Sequence, residues 1–261
     1  MVQLALRTAR SAVQNFQRIN ERLEFAREDN KIEQLLDDTA RSVEGYIINQ
    51  LRRAHPEHSF KGQYERLSSG EGEGKDVLWN VQPTHGWNNL ARSIPQSAVS
   101  ISIEIKEKIE HVVVINPFTG DEFYASRGRG AQLNGRRMRA SNQRSLDAGK
   151  YALPLPSLNT RARNFPIYMG MTQQLGQVAE SFHASGCTLL DLLSTVSGHT
   201  DACVAFGAKD QEMRIAAVFA KEAGSLIGAI DGSPNLPLDG NLILANPKMY
   251  KVLLQITKAH M

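Results

Sequence analysis

Negative charge is missing from Trp79–Leu90, WNVQPTHGWNNL, the stretch of this chain that most resembles a binding loop. A strand-like run from Asp76 to Val81 leads into it, and Pro83 and Gly86 mark sharp turns. A strand that ends in a glycine turn leaves backbone amides free, a natural place to hold an anion or a metal. The polar groups offered there are Gln82, Thr84, His85, Asn88 and Asn89, none of them a carboxylate. Other absences narrow the field. Two cysteines, Cys187 and Cys203, make neither a disulfide scaffold nor a paired metal spacing, which fits a reducing compartment and small apolar packing roles. No apolar run is long enough to span a membrane. The start, MVQLALRTARSAVQNF, lacks the continuous apolar core of a secretory signal, so a cytoplasmic protein is expected. No internal repeat and no low-complexity linker is visible.

What is present is ordinary globular material: 261 residues, 41% hydrophobic and 22% charged, with a net charge of +3 too mild to argue for nucleic acid. Val2, Ala5, Leu6, Ala9, Val13 and Phe16 recur at helical spacing and predict an amphipathic helix to about Glu24. Leu36, Ala40, Val43, Ile47 and Leu51 predict a second, ending near His55-Pro56, because proline disfavours helix in the residue before it. His55 and His58 bracket that turn and read as solvated turn residues. Ser59 to Gly62 is strand-like, Leu67 to Asp76 an exposed Gly/Ser-rich loop, and Gln96 to Lys106 alternates as a half-buried strand. His111 to Ile115 and Glu122 to Ala125 flank a hairpin turn at Asn116–Gly120. An antiparallel sheet with helices on one side follows. The second half reads strand (Tyr151 to Leu153), helix (Ile167 to Ala184), short helix (Thr188 to Val196), strand (Asp201 to Phe206) and helix (Gln211 to Ala223). Strands at Ser225 to Ile230 and Leu242 to Ala245 and a helix from Pro247 complete a mixed sheet, with an internal seam dividing 1–145 from 146–261.

Gln82-Pro83-Thr84-His85-Gly86-Trp87-Asn88-Asn89-Leu90 resembles the inositol monophosphatase motif D-P-[LI]-D-G-T-x-N-[FY], with proline, glycine and asparagine kept and both aspartates replaced. SRGRGAQLNG (Ser126 to Gly135), KEAG (Lys221 to Gly224) and GNLILANP (Gly240 to Pro247) match the family more closely, and the similarity is greatest to its bacterial SuhB branch. The resemblance implies a layered αβαβα sandwich, with an antiparallel N-terminal and a mixed C-terminal sheet, and a homodimer. It also implies magnesium-dependent hydrolysis of phosphomonoesters, in which carboxylates hold the metals.

Carried over residue by residue, the family's G-E-E falls on Gly62-Gln63-Tyr64, so a metal-binding glutamate becomes Gln63. The two motif aspartates become Gln82 and His85, and the residue lending a carbonyl is Thr84. The later W-D-x-A motif falls on Gln211-Glu212-Met213-Arg214 and leaves Glu212 as the one carboxylate, beside Arg214. The pair that orients water falls on Ala40 and Trp87, and sliding Glu65 toward Gln63 restores a single ligand. In the G-[ST]-A-A-L-D-L segment Gly186, Leu190, Asp191 and Leu192 match, whereas Cys187-Thr188-Leu189 depart.

Magnesium needs anionic oxygen because it dehydrates reluctantly. Millimolar binding is worth about −4 kcal/mol, and one carboxylate at 4 Å contributes roughly that at an effective dielectric of 20. With three carboxylates gone, no metal and no competent catalytic residue is expected. Zinc fares little better, since His85 and Glu212 supply two ligands where catalytic sites use about three. A neutral pocket in which Gln82 and His85 bond each other is expected, with Trp87 as a plug and an anion site on the Gly86 and Trp87 amides as an option.

The resemblance to the SuhB branch implies a non-catalytic role in ribosomal RNA transcription antitermination, beside NusA or RNA polymerase. The alternatives are a weak or altered magnesium phosphatase on inositol or sugar phosphates, and a phosphometabolite sensor. The basic run Arg127, Arg129, Arg136, Arg137, Arg139 and Arg144 is a solvated loop or a contact to RNA phosphates, with no aromatic residues to read bases.

Overall fold

The computed structural model describes residues 1–17, 19–28, 30–233 and 235–261. The chain divides into two units: Met1–Arg127 with Gln132–Gly135, and Gly128–Ala131 with Arg136–Met261. The division expected at 145/146 therefore falls inside the second unit.

The first unit opens with α1 (Val2–Gln17), α2 (Ile19–Glu28) and α3 (Ile32–Ala54). The helix expected to about Glu24 corresponds to α1 and α2, which flank residue 18, outside the described residues, and the helical stretch runs on to Glu28. In α3 the apolar residues return every three or four positions, and Leu36, Ala40, Val43, Ile47 and Leu51 are all fully buried. The helix stops at Ala54, ahead of Pro56, with Arg52 and Arg53 in its last turn complementing the helix dipole.

β1 (Ser59–Lys61) comes next, then a 3-10 turn at Gly72–Asp76, β2 (Val77–His85), the one-turn α4 (Trp87–Leu90), β3 (Ala98–Ile105), β4 (Lys108–Ile115) and β5 (Glu122–Ser126). β2, β3, β4 and β5 pair antiparallel in order. β1 corrects the antiparallel expectation, because it joins β2 in parallel, with Phe60 opposite Trp79. A three-residue edge strand leaves nothing in its sequence to set its direction. β2 also runs on through Pro83 to His85 where a turn was expected, with one extra residue against β3 between Gln82 and His85. Such a bulge lets a strand keep its course while re-aiming side chains. Trp79, Val81, Val99, Ile101, Ile103, Val113 and Ile115 share a core with α1 and α3. The other face of β3, carrying Ala98, Ser100, Ser102 and Glu104, is buried too, so its alternation marks two kinds of buried surface and not a half-exposed strand.

β6 (Gly130–Leu133) and β7 (Arg136–Arg137) follow. The second unit then contains β8 (Lys150–Ala152), α5 (Arg161–Gly176), β9 (Ser181–His183), α6 (Thr188–Val196), β10 (Ala202–Ala205), α7 (Asp210–Ala223), β11 (Leu226–Ala229), β12 (Leu242–Ala245) and α8 (Pro247–His260). Its sheet, ordered β11-β12-β10-β8-β9, is mixed as expected: β11, β12 and β10 pair antiparallel, and β10, β8 and β9 pair parallel. α5 and α8 share a core with Ala202, Val204, Ile243 and Ala245.

The helix expected over 167–184 begins earlier and ends earlier, and its tail is strand β9. Pro166 lies inside α5, where proline removes a helix bond. Tertiary anchoring holds the preceding turn: buried Asn164 and Asn241 exchange amide hydrogen bonds of 3.0 Å in both directions. α7 ends at Gly224 with φ +83, a conformation glycine adopts without strain.

Candidate functional site

The Gly62–Glu65 loop is held by a carboxylate that the sequence reading passed over. Glu44, buried on α3, accepts from Gln63 N at 2.7 Å, Tyr64 N at 2.9 Å and Glu65 N at 2.7 Å. A Cβ on Gly62 would lie 2.2 Å from Glu44 Oε1, which is why that position is glycine. A clue was available: Glu44 interrupts an otherwise apolar set at Ala40, Val43, Ile47 and Ile48, and a buried carboxylate needs donors.

The loop's own side chains do other work. Gln63 is exposed. The Tyr64 ring lies 4.4 Å from the Arg41 guanidinium, and burial with the neighbouring Asp37 pushes its hydroxyl up to about 12. Glu65 is ion-paired with Arg52.

On β2, Gln82 Nε2 donates to Asn80 Oδ1 at 3.2 Å, and buried His85 pairs through Nε2 with Ser100 Oγ at 2.9 Å. These bonds to strand neighbours fill the place where a direct Gln82–His85 bond was expected. Thr84 is buried between them. Gly86 has φ +78, the left-handed conformation that starts α4. With four residues, α4 has little dipole to offer an anion. Trp87 is half-buried against the first core, and its indole N–H donates to Glu33 Oε2 at 3.0 Å, so it bridges α4 to the start of α3.

In the second unit Glu212 sits in the first turn of α7 and accepts from Lys209 N at 3.2 Å, as a helix-capping residue does. Asp191 on α6 is fully buried; its Oδ1 accepts from Ser185 N at 2.9 Å, and Oδ2 has no hydrogen-bond partner among the described residues. Burial raises its pKa against the lowering pull of Ser185. Burial likewise raises Cys187 and Cys203 far above a reactive thiol.

His55 and His58 are not the solvated pair expected. Their rings stack at 4.5 Å, both lie against the fully buried Trp79, and Trp79 Nε1 donates to His58 Nδ1 at 2.8 Å. Glu57 Oε1 lies 3.4 Å from His55 Nδ1 and 3.2 Å from His58 Nε2, a spacing three metal ligands could share. The Trp79 bond works against that use. A neutral His58 that accepts at Nδ1 carries its proton on Nε2, the nitrogen facing Glu57, where a metal would need a lone pair.

Of the basic run, Arg127 lies in the first unit, donates to Ile109 O at 2.5 Å and faces Glu110 at 3.8 Å. It is thereby removed from the free cations expected there. Arg129, Arg136, Arg137 and Arg139 belong to the second unit.

Two sheets with helices packed on them define a layered α+β fold of the phosphatase type. The chain belongs to the inositol monophosphatase family, whose model matches residues 1–261. It is similar to the Nus factor SuhB of Pseudomonas aeruginosa, 34% identical over 262 residues covering 100% of this chain and 97% of the relative. The Nus factor SuhB of Escherichia coli K12 is 32% identical over 217 residues, 82% of this chain and 79% of the relative. Among solved structures, the extragenic suppressor protein suhB from Bartonella henselae superposes with TM-score 0.79 at 26% identity, covering 99% of this chain and 97% of that one. The inositol monophosphatase of Anabaena shares the fold, with TM-score 0.80 at 20% identity over 99% and 95% of the two chains.

Proposed function

We propose that this chain is a non-catalytic member of the inositol monophosphatase family that works as a Nus-type partner of the transcription machinery, in ribosomal RNA antitermination. The observation that carries the loss of catalysis is the fate of the acids near the first-unit site. The family's ligand positions hold Gln63, Gln82 and His85. The carboxylates close by in the chain are spoken for: Glu44 by three backbone amides and Glu65 by Arg52. Amide and imidazole groups bring dipoles where a hard dication needs charge, so the donor set does not fit magnesium.

The partner role is supported by whole-length similarity to proteins named Nus factors. NusA or RNA polymerase is the partner proposed, with the chain acting as a homodimer in the cytoplasm. Among the described residues no helix is long and apolar enough to cross a membrane.

Four measurements test the reading. Calorimetric titration with magnesium or manganese should give no binding at millimolar metal, and inositol 1-phosphate should release no phosphate. Purified chain and NusA should co-elute and give a saturable binding isotherm. Metal-dependent phosphate release abolished by Glu212→Ala would restore the enzyme reading, and failure to bind either NusA or the polymerase would remove the partner reading.

A further inference from the structure

We propose that a basic cavity in the second unit binds the phosphates of a single-stranded RNA through backbone contacts, without reading bases. The cavity, of about 580 Å³, lies among the 137–144 loop, the end of α7 and the start of α8. Five cations line it: Arg137, Arg139, Arg144, Lys221 and Lys248. All five are exposed, and none takes part in the ion pairs found among the described residues.

The single carboxylate in the lining does not neutralise them. Glu222 Oε1 accepts from Gly128 N and Oε2 from Gly130 N, each at 2.8 Å, so both oxygens are engaged by the preceding turn. Five positive charges against one negative leave an excess of like charge, and an incoming anion relieves its repulsion.

The loop is fixed rather than loose. Ala140 N donates to Ala223 O at 3.2 Å, and Asn246 Nδ2 donates to Ser141 O at 3.1 Å and Gln143 O at 2.8 Å. The same Asn246 caps α8 by accepting from Lys248 N and Met249 N. One buried asparagine thus ties the loop to the helix start and holds the cations around a common space before any ligand arrives, which lowers the ordering entropy of binding.

Size and lining choose the ligand. One phosphate fills the volume of a few water molecules, about 30 Å³ each, so the cavity accommodates several consecutive phosphates. No aromatic side chain lines it, so there is no stacking platform and no base preference. The phosphate chemistry stands on the cavity alone; the choice of RNA rests on the transcription role proposed above.

The test is fluorescence polarisation of the full chain with labelled twelve-nucleotide oligo-U, at several salt concentrations. Counterion release predicts a log Kobs against log[salt] slope of about −3.5 if all five cations engage, from roughly 0.7 per phosphate on a single strand. Arg139→Ala/Arg144→Ala/Lys248→Ala should weaken binding at least tenfold and bring the slope to about −1.4, the value for two remaining cations. Arg92→Ala, in the first unit, should bind as the parent does. Equal binding of oligo-dT is expected, because the contacts are to phosphate. Parent-like binding by the triple variant, a parent slope shallower than about −1, or binding of inorganic phosphate at constant ionic strength without binding of oligo-U would each overturn the proposal. The triple variant should keep its affinity for NusA, so failure here and failure of the partner reading are separable.

Discussion

Replacing Glu44 by glutamine tests whether the Gly62–Glu65 loop hangs on one carboxylate. Oε1 accepts from Tyr64 N and Glu65 N, and Oε2 from Gln63 N with a longer 3.2 Å contact to Tyr64 N. Hydrogen bonds to a charged group contribute about 1.5–3 kcal/mol each. Glutamine keeps one oxygen but turns an NH₂ group toward an amide N–H, so at least one such bond is lost and a second donor is stranded. Glu44→Gln should therefore destabilise by about 2–4 kcal/mol. With a urea slope of about 2–3 kcal/mol/M, the unfolding midpoint falls by roughly 1 M. Gly62→Ala attacks the same cradle from the other side, since its Cβ would lie 2.2 Å from Oε1. The double variant should fall short of the sum of the single losses by about 1 kcal/mol or more. A Glu44→Gln midpoint within 0.2 M of the parent's (on the order of 0.5 kcal/mol), or strict additivity with Gly62→Ala, would refute the reasoning.

Further outcomes are expected. Desolvation, then the neighbouring His55, hold the His58 pKa below its ordinary value of 6.5 against the raising pull of Glu57. The folded state binds the proton less readily than the unfolded chain, so stability present above about pH 6.5 is lost as pH falls from there through the lowered value. Urea midpoints between pH 7.5 and 5.5 should show this, and His58→Gln, whose carbonyl can still accept from Trp79, should flatten the profile. Asn241→Ala strands Asn164 and the Gly207 amide, which donates to Asn241 Oδ1 at 3.0 Å; a loss of about 2–4 kcal/mol in chemical unfolding is expected. Cys187 and Cys203, both buried, should resist a thiol-reactive dye in the folded chain and react at once in guanidinium.

The elements whose period matches their burial were legible in the sequence. α3 follows from the spacing of Leu36 to Leu51, α6 from the apolar stretch Thr188 to Val196, and the end of α7 from Gly224. Direction and long-range anchoring were not legible. Nothing in Ser59–Lys61 sets the parallel pairing of β1, and only the Asn164–Asn241 exchange explains a helix that runs through Pro166. At the site, the family resemblance placed Gln63, Gln82 and His85 where the motifs carry carboxylates. The partners of the nearby acids were hidden, because Glu44 meets its donors some twenty positions away, and Glu65, in the loop after β1, pairs with Arg52 in the last turn of α3.

The Glu44 cradle carries a consequence for how the sequence of this loop can vary. The loop is gripped by its peptide N–H groups, and every amino acid except proline supplies one. Positions 63 and 64 can therefore change side chain with the scaffold undisturbed. Drift at Gly62 or Glu44 is barred. A loop hung in this way can exchange its side chains and keep its shape.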